Sequence, residues 1–383
     1  MDSSSCHSPV AMVTAPSESC SPYPGSRSTH EAVHHSPCMQ KPFFSIIIPA
    51  YNLENYIAAA LQSVLVQTFQ DFEIIIVDDG SSDETVSIIQ SFHDPRIRLV
   101  SQVNGGVSRA RNAGMKKAVG AYIAFLDGDD YWYPEHLELA ADFFNRHPEI
   151  LAYANRYMRD ELEAIPPRPP SYPESIRRLG IRGVLFMHPS SVILNSSLAS
   201  RLPPWEEAMP YGEDGLYWTR CMRGTGLIGL GGSVTSIYRQ RASSAMHDEH
   251  YQHVSLHSLI APLLNELEAM KNPKWQFAVH YLVIRELHPK RLLSLNAEER
   301  ISLTGRIRKI MHPCLNRPFL DSYMKACSAR AGMEQSFSAL MDRTMFSCKW
   351  LDRLERMGRS LFFRLQTNNG MEGKHQDPAR SRS

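Results

Sequence analysis

The sequence predicts an α/β fold built on a doubly wound, mostly parallel sheet and followed by a helical C-terminal region. Three observations carry that expectation. Apolar runs with β propensity recur at Phe43–Asn52, Glu73–Gly80 and Tyr122–Leu126, with amphipathic helical stretches between them. Each run ends on polar or acidic residues: Asn52, then Asp78 and Asp79, then Asp127, Asp129 and Asp130. In doubly wound sheets the ligand crevice lies at the carboxyl ends of the strands, so three separate segments are expected to converge on one site.

Composition narrows the class. The 383 residues carry 41 Lys+Arg against 40 Asp+Glu and are 43% hydrophobic, which suits one large domain with an appendage, or two domains. A near-zero net charge argues against a general nucleic-acid binder. The 7 Cys show no CxxC or His/Cys ligand spacing and read as reduced cytosolic thiols. No apolar run approaches the roughly 18–20 residues of a membrane span, and the first residues lack the basic-then-apolar pattern of a secretory leader. A soluble cytoplasmic protein is expected.

Residues 1–40, rich in Ser, Pro and His, show no apolar periodicity and read as a disordered tail. Order begins at Phe43. The run Phe43-Phe-Ser-Ile-Ile-Ile-Pro-Ala-Tyr-Asn52 is continuous and apolar, the mark of a central parallel strand. Glu54–Gln67 places Ile57, Leu61, Val64 and Leu65 at helical spacing. The second strand, at 73–80, leads into a helix started by Ser81 and Ser82, with Asp83 and Glu84 in its first turn. A third strand is expected at Arg96–Val100, then a glycine loop at 104–106 that enters a helix containing Arg109 and Arg111. The strand at 122–126 and its acids come next, then a helix at Pro134–Arg146 and a β-like segment at Ile150–Tyr157. Residues 158–180, with Pro166, Pro167, Pro169, Pro170 and Pro173, read as a long loop. A helix is expected to start at Glu213-Asp214 with Leu216, Tyr217 and Met222 inward, and two short strands are expected around Gly231-Gly232 in Leu227–Tyr238. From Tyr251 the pattern is helical with proline breaks, Pro262 among them, and residues 367–383 read as a second tail.

Charge is divided along the chain. Residues 41–270 hold 19 Lys/Arg and 27 Asp/Glu, whereas residues 271–366 hold 18 and 8. The last helical stretch, Lys349–Gln366, gathers Trp350, Leu351, Leu354, Met357, Leu361, Phe362 and Leu365 on one face. That face either docks on an anionic membrane surface or packs on the body of the protein, and the second reading is preferred.

The acids at 127–130 carry the chemistry. In an extended segment Asp127 and Asp129 alternate onto one side and would repel each other without a cation between them. Mg²⁺ or Mn²⁺ shared with a substrate diphosphate is the natural occupant. A solvated Asp-rich turn is the plain alternative, and the convergence of the other strand ends argues against it.

Ile46-Ile-Ile-Pro-Ala-Tyr-Asn-Leu-Glu54, Val77-Asp-Asp-Gly-Ser-Ser-Asp83, Ala110-Arg-Asn-Ala-Gly114 and Phe125-Leu-Asp-Gly-Asp-Asp-Tyr-Trp132, in that order, closely resemble glycosyltransferase family 2. The resemblance spans about 43–134, extends more weakly through Glu213-Asp214 towards 240, and implies the GT-A fold over residues 41–250, with residues 251–383 outside it. It further implies that Pro49, Tyr51 and Glu54 wall the nucleotide. Asp79 would accept a hydrogen bond from a uracil-type ring with Asp78 beside it, and Arg111, or more loosely Arg109, would face the nucleotide-sugar. Asp127 and Asp129 resemble the pair that engages the metal, the diphosphate and the donor ribose, and Asp214 resembles the catalytic base. The Gln-X-X-Arg-Trp signature of processive synthases is absent, which implies transfer of single residues.

The function implied is a metal-dependent inverting transfer from a nucleotide-diphosphate sugar, UDP-sugar foremost, to a glycan or lipid-linked acceptor. The place implied is the cytoplasm or the inner face of the membrane. The other class kept open is a non-catalytic nucleotide-sugar or glycan-binding scaffold on the same fold. Glu213 reads as a helix-dipole partner, and Arg111 equally as a surface charge or a ligand contact. His188 and His247 read as structural histidines before acceptor-side or metal-adjacent ones. Tyr131-Trp132-Tyr133 fits an acceptor cleft or sheet-edge packing.

Overall fold

The computed structural model describes residues 41–160, 171, 173–177, 187–240, 256–270, 279, 282–283 and 296–310. The expected tails at 1–40 and 367–383, the helix at Lys349–Gln366 and His247 lie outside the described residues.

At the centre is β1 (Phe44–Ala50), flanked in parallel by β2 (Phe72–Asp78) on one side and β4 (Tyr122–Phe125) on the other, with β3 (Ile97–Ser101) outside β2. Every residue of β1 and β2 is buried, because helices cover both faces of a parallel sheet. Continuous apolar runs are what such strands require. The crossovers are α1 (Ile57–Leu65), α2 (Thr85–Gln90) and α3 (Val107–Lys117). Ile57, Ala60, Leu61 and Val64 of α1 enter the core as a helical stripe. α3 lies directly on the sheet at Gly114, where a Cβ would come within 2.4 Å of Ile47 Cγ2.

Beyond β4 the sheet becomes mixed. β6 (Ala152–Asp160) and β4 both pair antiparallel with β8 (Val192–Asn195), and β9 (Ile228–Arg239) runs parallel to β6. The short β5 (Tyr131–Trp132) and β7 (Ser175–Arg177) pair antiparallel with β9. Among the described residues the order is β3-β2-β1-β4-β8-β6-β9-β5, with β7 also on β9. α4 (His136–Arg146) and α1 share one core with one face of β1 and β2. On the opposite face a second core gathers Ile47, Phe125, Trp205, Tyr217 and Trp218 under α5 (Ser196–Ala199) and α6 (Glu213–Thr225). Further on, α7 (Leu256–Ala269) ties to α6 through Glu266, which accepts from Arg220 and Arg223, and to α8 (Ala297–Ile310) through Arg306 on Asn265.

Three expectations from the sequence are corrected. Residues 228–239 form one strand and not two. Gly231 serves close approach, since a Cβ there would come within 2.1 Å of Asn155 Oδ1 and 2.5 Å of Tyr153 Oη. The segment 158–180 is not all loop: β6 continues to Asp160 in register with Arg239, and Ser175–Arg177 adds β7. Pro262 lies inside α7. The helix passes through it because Leu259, Ile260, Leu263, Leu264 and Leu267 are all buried, enough apolar burial to outweigh a local penalty of about 3 kcal/mol.

Candidate active site

β4 stops at Phe125, although the Leu126 N–H still donates to the Ile47 carbonyl at 3.0 Å. The chain then turns, and the Asp130 N–H donates to the Asp127 carbonyl at 2.9 Å. The strand alternation expected to place Asp127 and Asp129 together therefore ends before it reaches them. Gly128 lets the turn lie on the end of β1, since a Cβ there would sit 2.6 Å from Leu53 Cδ1 and 3.0 Å from the Pro49 carbonyl.

The turn is braced by His188 and the 3-10 turn Pro189–Ser191. Ser190 Oγ accepts from the Asp127 N–H at 3.1 Å and donates to Asp130 Oδ2 at 2.6 Å. The Trp132 indole N–H donates to the Ser190 carbonyl at 2.7 Å. The other Asp130 oxygen accepts from the Arg239 N–H at 3.0 Å. Burial pushes the Asp130 carboxyl well above its ordinary range, and the charges of Asp129 and Asp127 push it further against those two hydrogen bonds. Carboxylates crowded in this way favour a cation. Oxygens of Asp127 and Asp130 and an imidazole nitrogen of His188 lie within 4.8 Å of one another, while Asp129 stands partly exposed beside them. The donor set, chiefly carboxylate oxygens, suits Mg²⁺ or Mn²⁺.

Arg111 is buried and faces inward from α3. Nη2 donates to Asp127 Oδ1 at 2.7 Å and Nη1 to Glu213 Oε1 at 2.8 Å, with the guanidinium 4.5 Å over the Trp205 ring. Burial opposes its charge, but Asp127 and Glu213 more than offset that and hold it protonated. The expectation of Arg111 as an ordinary surface charge is thereby excluded. Glu213 is raised by burial against the pull of Arg111, with Asp214 raising it further. Both acids begin α6 after Gly212, whose φ of 76° is left-handed. The helix dipole favours carboxylates in that first turn, but Glu213 is also an ion-pair partner, which the dipole reading missed. Asp214 is partly exposed beside it.

The neighbour of Arg111 fastens the segment that leads to α6. Asn112 Nδ2 donates to the Trp205 carbonyl at 2.9 Å while its Oδ1 accepts from the Trp205 N–H at 2.9 Å. The Trp205 ring stacks on Tyr217 at 4.0 Å.

At the other strand ends, Asp78 Oδ1 accepts from the Ser81 N–H at 3.0 Å. Asp79 is buried; it accepts from the N–H groups of Gly105 and Gly106 and from Gln102 Nε2, and so fastens the entry to α3. Glu54 accepts from the Glu84 N–H at 3.2 Å while its own N–H donates to Asp83 Oδ2 at 3.0 Å. Asn52, at φ 51°, accepts from the Ser82 N–H at 2.9 Å. Pro49 is buried in β1, and Tyr51 beyond it is 49% exposed. Asp78 and the acidic turn flank the end of β1 from opposite sides, a separation of two strand spacings or about 10 Å.

Arg111, Asp127, Asp130, His188 and Glu213 are thus joined in one contact network, with Asp214 at its edge. Asp78, Asp79 and Glu54 line the same sheet edge and are engaged in holding its loops. Sequence reasoning missed the brace at Ser190 and the anchor at Asn112. The first left one trace, a polar His-Pro-Ser-Ser set inside the apolar stretch 183–194.

The profile described as "Glycosyl transferase family 2" matches residues 45–200. A UDP-Glc:alpha-D-GlcNAc-diphosphoundecaprenol beta-1,3-glucosyltransferase of Escherichia coli is 32% identical over 206 residues, covering 52% of this chain and 78% of that protein. An uncharacterized glycosyltransferase of Bacillus subtilis is 50% identical over 92 residues, which are 24% of this chain and 27% of that protein. A relative from Rickettsia felis is matched over 19% of its own length. Among solved structures, residues 1–349 of TarS from S. aureus, in complex with UDP-GlcNAc, superpose with a TM-score of 0.56 over 80% of this chain and 92% of that one. At 20% identity that likeness shows the fold.

Proposed function

Since the chain belongs to glycosyltransferase family 2 and has the GT-A fold, we propose that it moves a single sugar from a nucleotide-diphosphate sugar, a UDP-sugar first, to a hydroxyl of a glycan or lipid-linked acceptor, with inversion at the anomeric carbon. The observation that carries this reading is the Arg111 bridge. It ties the acidic turn at Asp127 to Glu213, at 2.7 and 2.8 Å, and so anchors the first turn of α6, which carries Asp214, to the acids that would face the diphosphate.

Asp214 takes the proton of the acceptor hydroxyl as its oxygen bonds to the anomeric carbon, and the bond from that carbon to the diphosphate oxygen breaks. Asp127 and Asp129 would hold a divalent cation, which supplies charge neutralisation to the departing nucleoside diphosphate. Pro49 and Tyr51 wall the nucleotide. Asp78, Asp79 and Glu54 shape its rim by holding the three loops through the hydrogen bonds described above. The catalytic unit is 41–250, followed by a helical region over 251–366 whose first described helix is tied to α6 through Glu266. The E. coli relative, whose name specifies a UDP-linked donor and a lipid-linked acceptor, supports a role in cell-envelope polysaccharide synthesis. Among the described residues no helix is long and apolar enough to cross a membrane.

The test is a screen of UDP-, GDP- and dTDP-sugars by released nucleotide with Mn²⁺ and with Mg²⁺, repeated on Asp214→Asn. The expected outcome is turnover with one donor, lowered about 10²- to 10⁴-fold in the variant while calorimetric nucleotide binding stays within about twofold. Equal loss of binding and turnover refutes the base assignment. Binding by the unaltered chain without transfer from any donor returns the scaffold reading.

A further inference from the structure

Resting on the reading of the cleft as a nucleotide-sugar site, we propose that His188 is a specificity-determining residue whose Nε2 donates a hydrogen bond to a hydroxyl of the transferred sugar. His188 opens the same 3-10 turn that braces Asp127 and Asp130, so its place is fixed relative to the acids. The rings of Tyr157 and Tyr238 flank the imidazole, with centroids at 5.3 and 4.6 Å, and leave it 14% exposed. Nδ1 accepts from the Ser190 N–H at 3.3 Å. That bond requires a lone pair on Nδ1, which in the neutral ring puts the proton on Nε2.

The Nε2–H looks toward Asp127 Oδ2 at 3.9 Å, beyond hydrogen-bonding distance. Among the described residues the ring's hydrogen bond is the one at Nδ1. In this tautomer Nε2 is a donor, and a cation held by the acids would reach it only after that proton left. His188 lies within electrostatic reach of both Asp127 and Asp214, the acids assigned to the diphosphate side and to the acceptor proton. Sugar hydroxyls are acceptors, and a fixed donor at this point reads their position or stereochemistry.

Calorimetry on the full chain with MnCl₂ compares UDP, UDP-glucose and UDP-N-acetylglucosamine across wild type, His188→Ala and His188→Gln. Wild type is expected to bind at least one of the two sugars more tightly than UDP. UDP affinity should stay within about twofold in all three proteins, and the alanine variant should lose about fivefold toward that sugar nucleotide, the size of one neutral hydrogen bond. The glutamine variant, whose amide nitrogen reaches the Nε2 position, should recover most of the loss. If UDP affinity falls as far as UDP-sugar affinity, His188 serves the nucleotide or the cation and the proposal is overturned. It is equally overturned if neither variant changes sugar-nucleotide affinity, or if wild type gains nothing from either sugar. Failure of wild type to bind UDP at all removes instead the nucleotide reading beneath it.

Discussion

Replacing Arg111 by Met should destabilise the protein severely, for a reason visible at two carboxylates. The side chain of Arg111 is 3% exposed, and its partners Asp127 and Glu213 are 21% and 10% exposed. Removing one member of a buried pair costs about 3–5 kcal/mol, because the charge left behind keeps its desolvation penalty. Asp127 retains enough exposure to rehydrate partly, so the larger share falls on Glu213. About 3–4 kcal/mol is the expected loss, read from urea unfolding followed by the fluorescence of Trp205, whose ring lies against the guanidinium. The second variant, Arg111→Met with Glu213→Gln, removes the stranded charge and should recover roughly 1–3 kcal/mol. Arg111→Lys should retain only part of the function, since one ammonium cannot replace two diverging nitrogens. A single variant within about 1 kcal/mol of wild type, or no recovery in the double variant, would refute the assignment of the bridge as the tie between the acidic turn and α6.

The remaining predictions concern the core and the pH response. His136 is fully buried, stacked on Trp132 at 4.1 Å, and burial brings its pKa down to about 3 from 6.5. The unfolded chain takes up a proton there that the folded chain refuses. Stability is therefore whole above pH 6.5 and declines as pH falls from 6.5 toward 3, by up to about 1.4 kcal/mol per unit. His136→Phe should flatten that part of the urea-midpoint profile, and an unchanged slope would count against the reading. Gly229→Ala would set a Cβ 2.1 Å from Phe143 Cζ; overpacking of this kind costs about 1–3 kcal/mol, measurable as a lowered Tm. Asn112→Ala should cost about 1–3 kcal/mol through two buried Trp205 backbone groups left unpaired. It should also lower kcat more than it raises KM, because the segment leading to Asp214 loosens; a pure KM effect would contradict that route.

The first half of the fold was legible because its strands are buried on both faces, so hydrophobicity alone marked β1, β2 and β4 and their acidic ends. Legibility failed where a residue's role depends on a distant partner. Gly231 looked like a turn because nothing local announces that Asn155 and Tyr153 need its space. Strand alternation puts Asp127 and Asp129 on one side, but it gave no sign of the turn, set by a backbone hydrogen bond, that brings Asp130 and His188 close to Asp127. Arg111 could be read as a surface charge from its helix. Its partners Asp127 and Glu213, 16 and 102 positions away, reveal it as an interior cation.

The loops after β1 and β2 exchange hydrogen bonds in both directions: Asn52 with Ser81 and Ser82, Glu54 with Glu84, and Asp83 back to Glu54. Such reciprocal lacing makes two sequence-distant segments open and close as one cooperative patch. Amide protons at 52–54 and 81–85 should accordingly exchange with solvent at a common rate. A molecule that touches only Tyr51 would quiet both stretches at once.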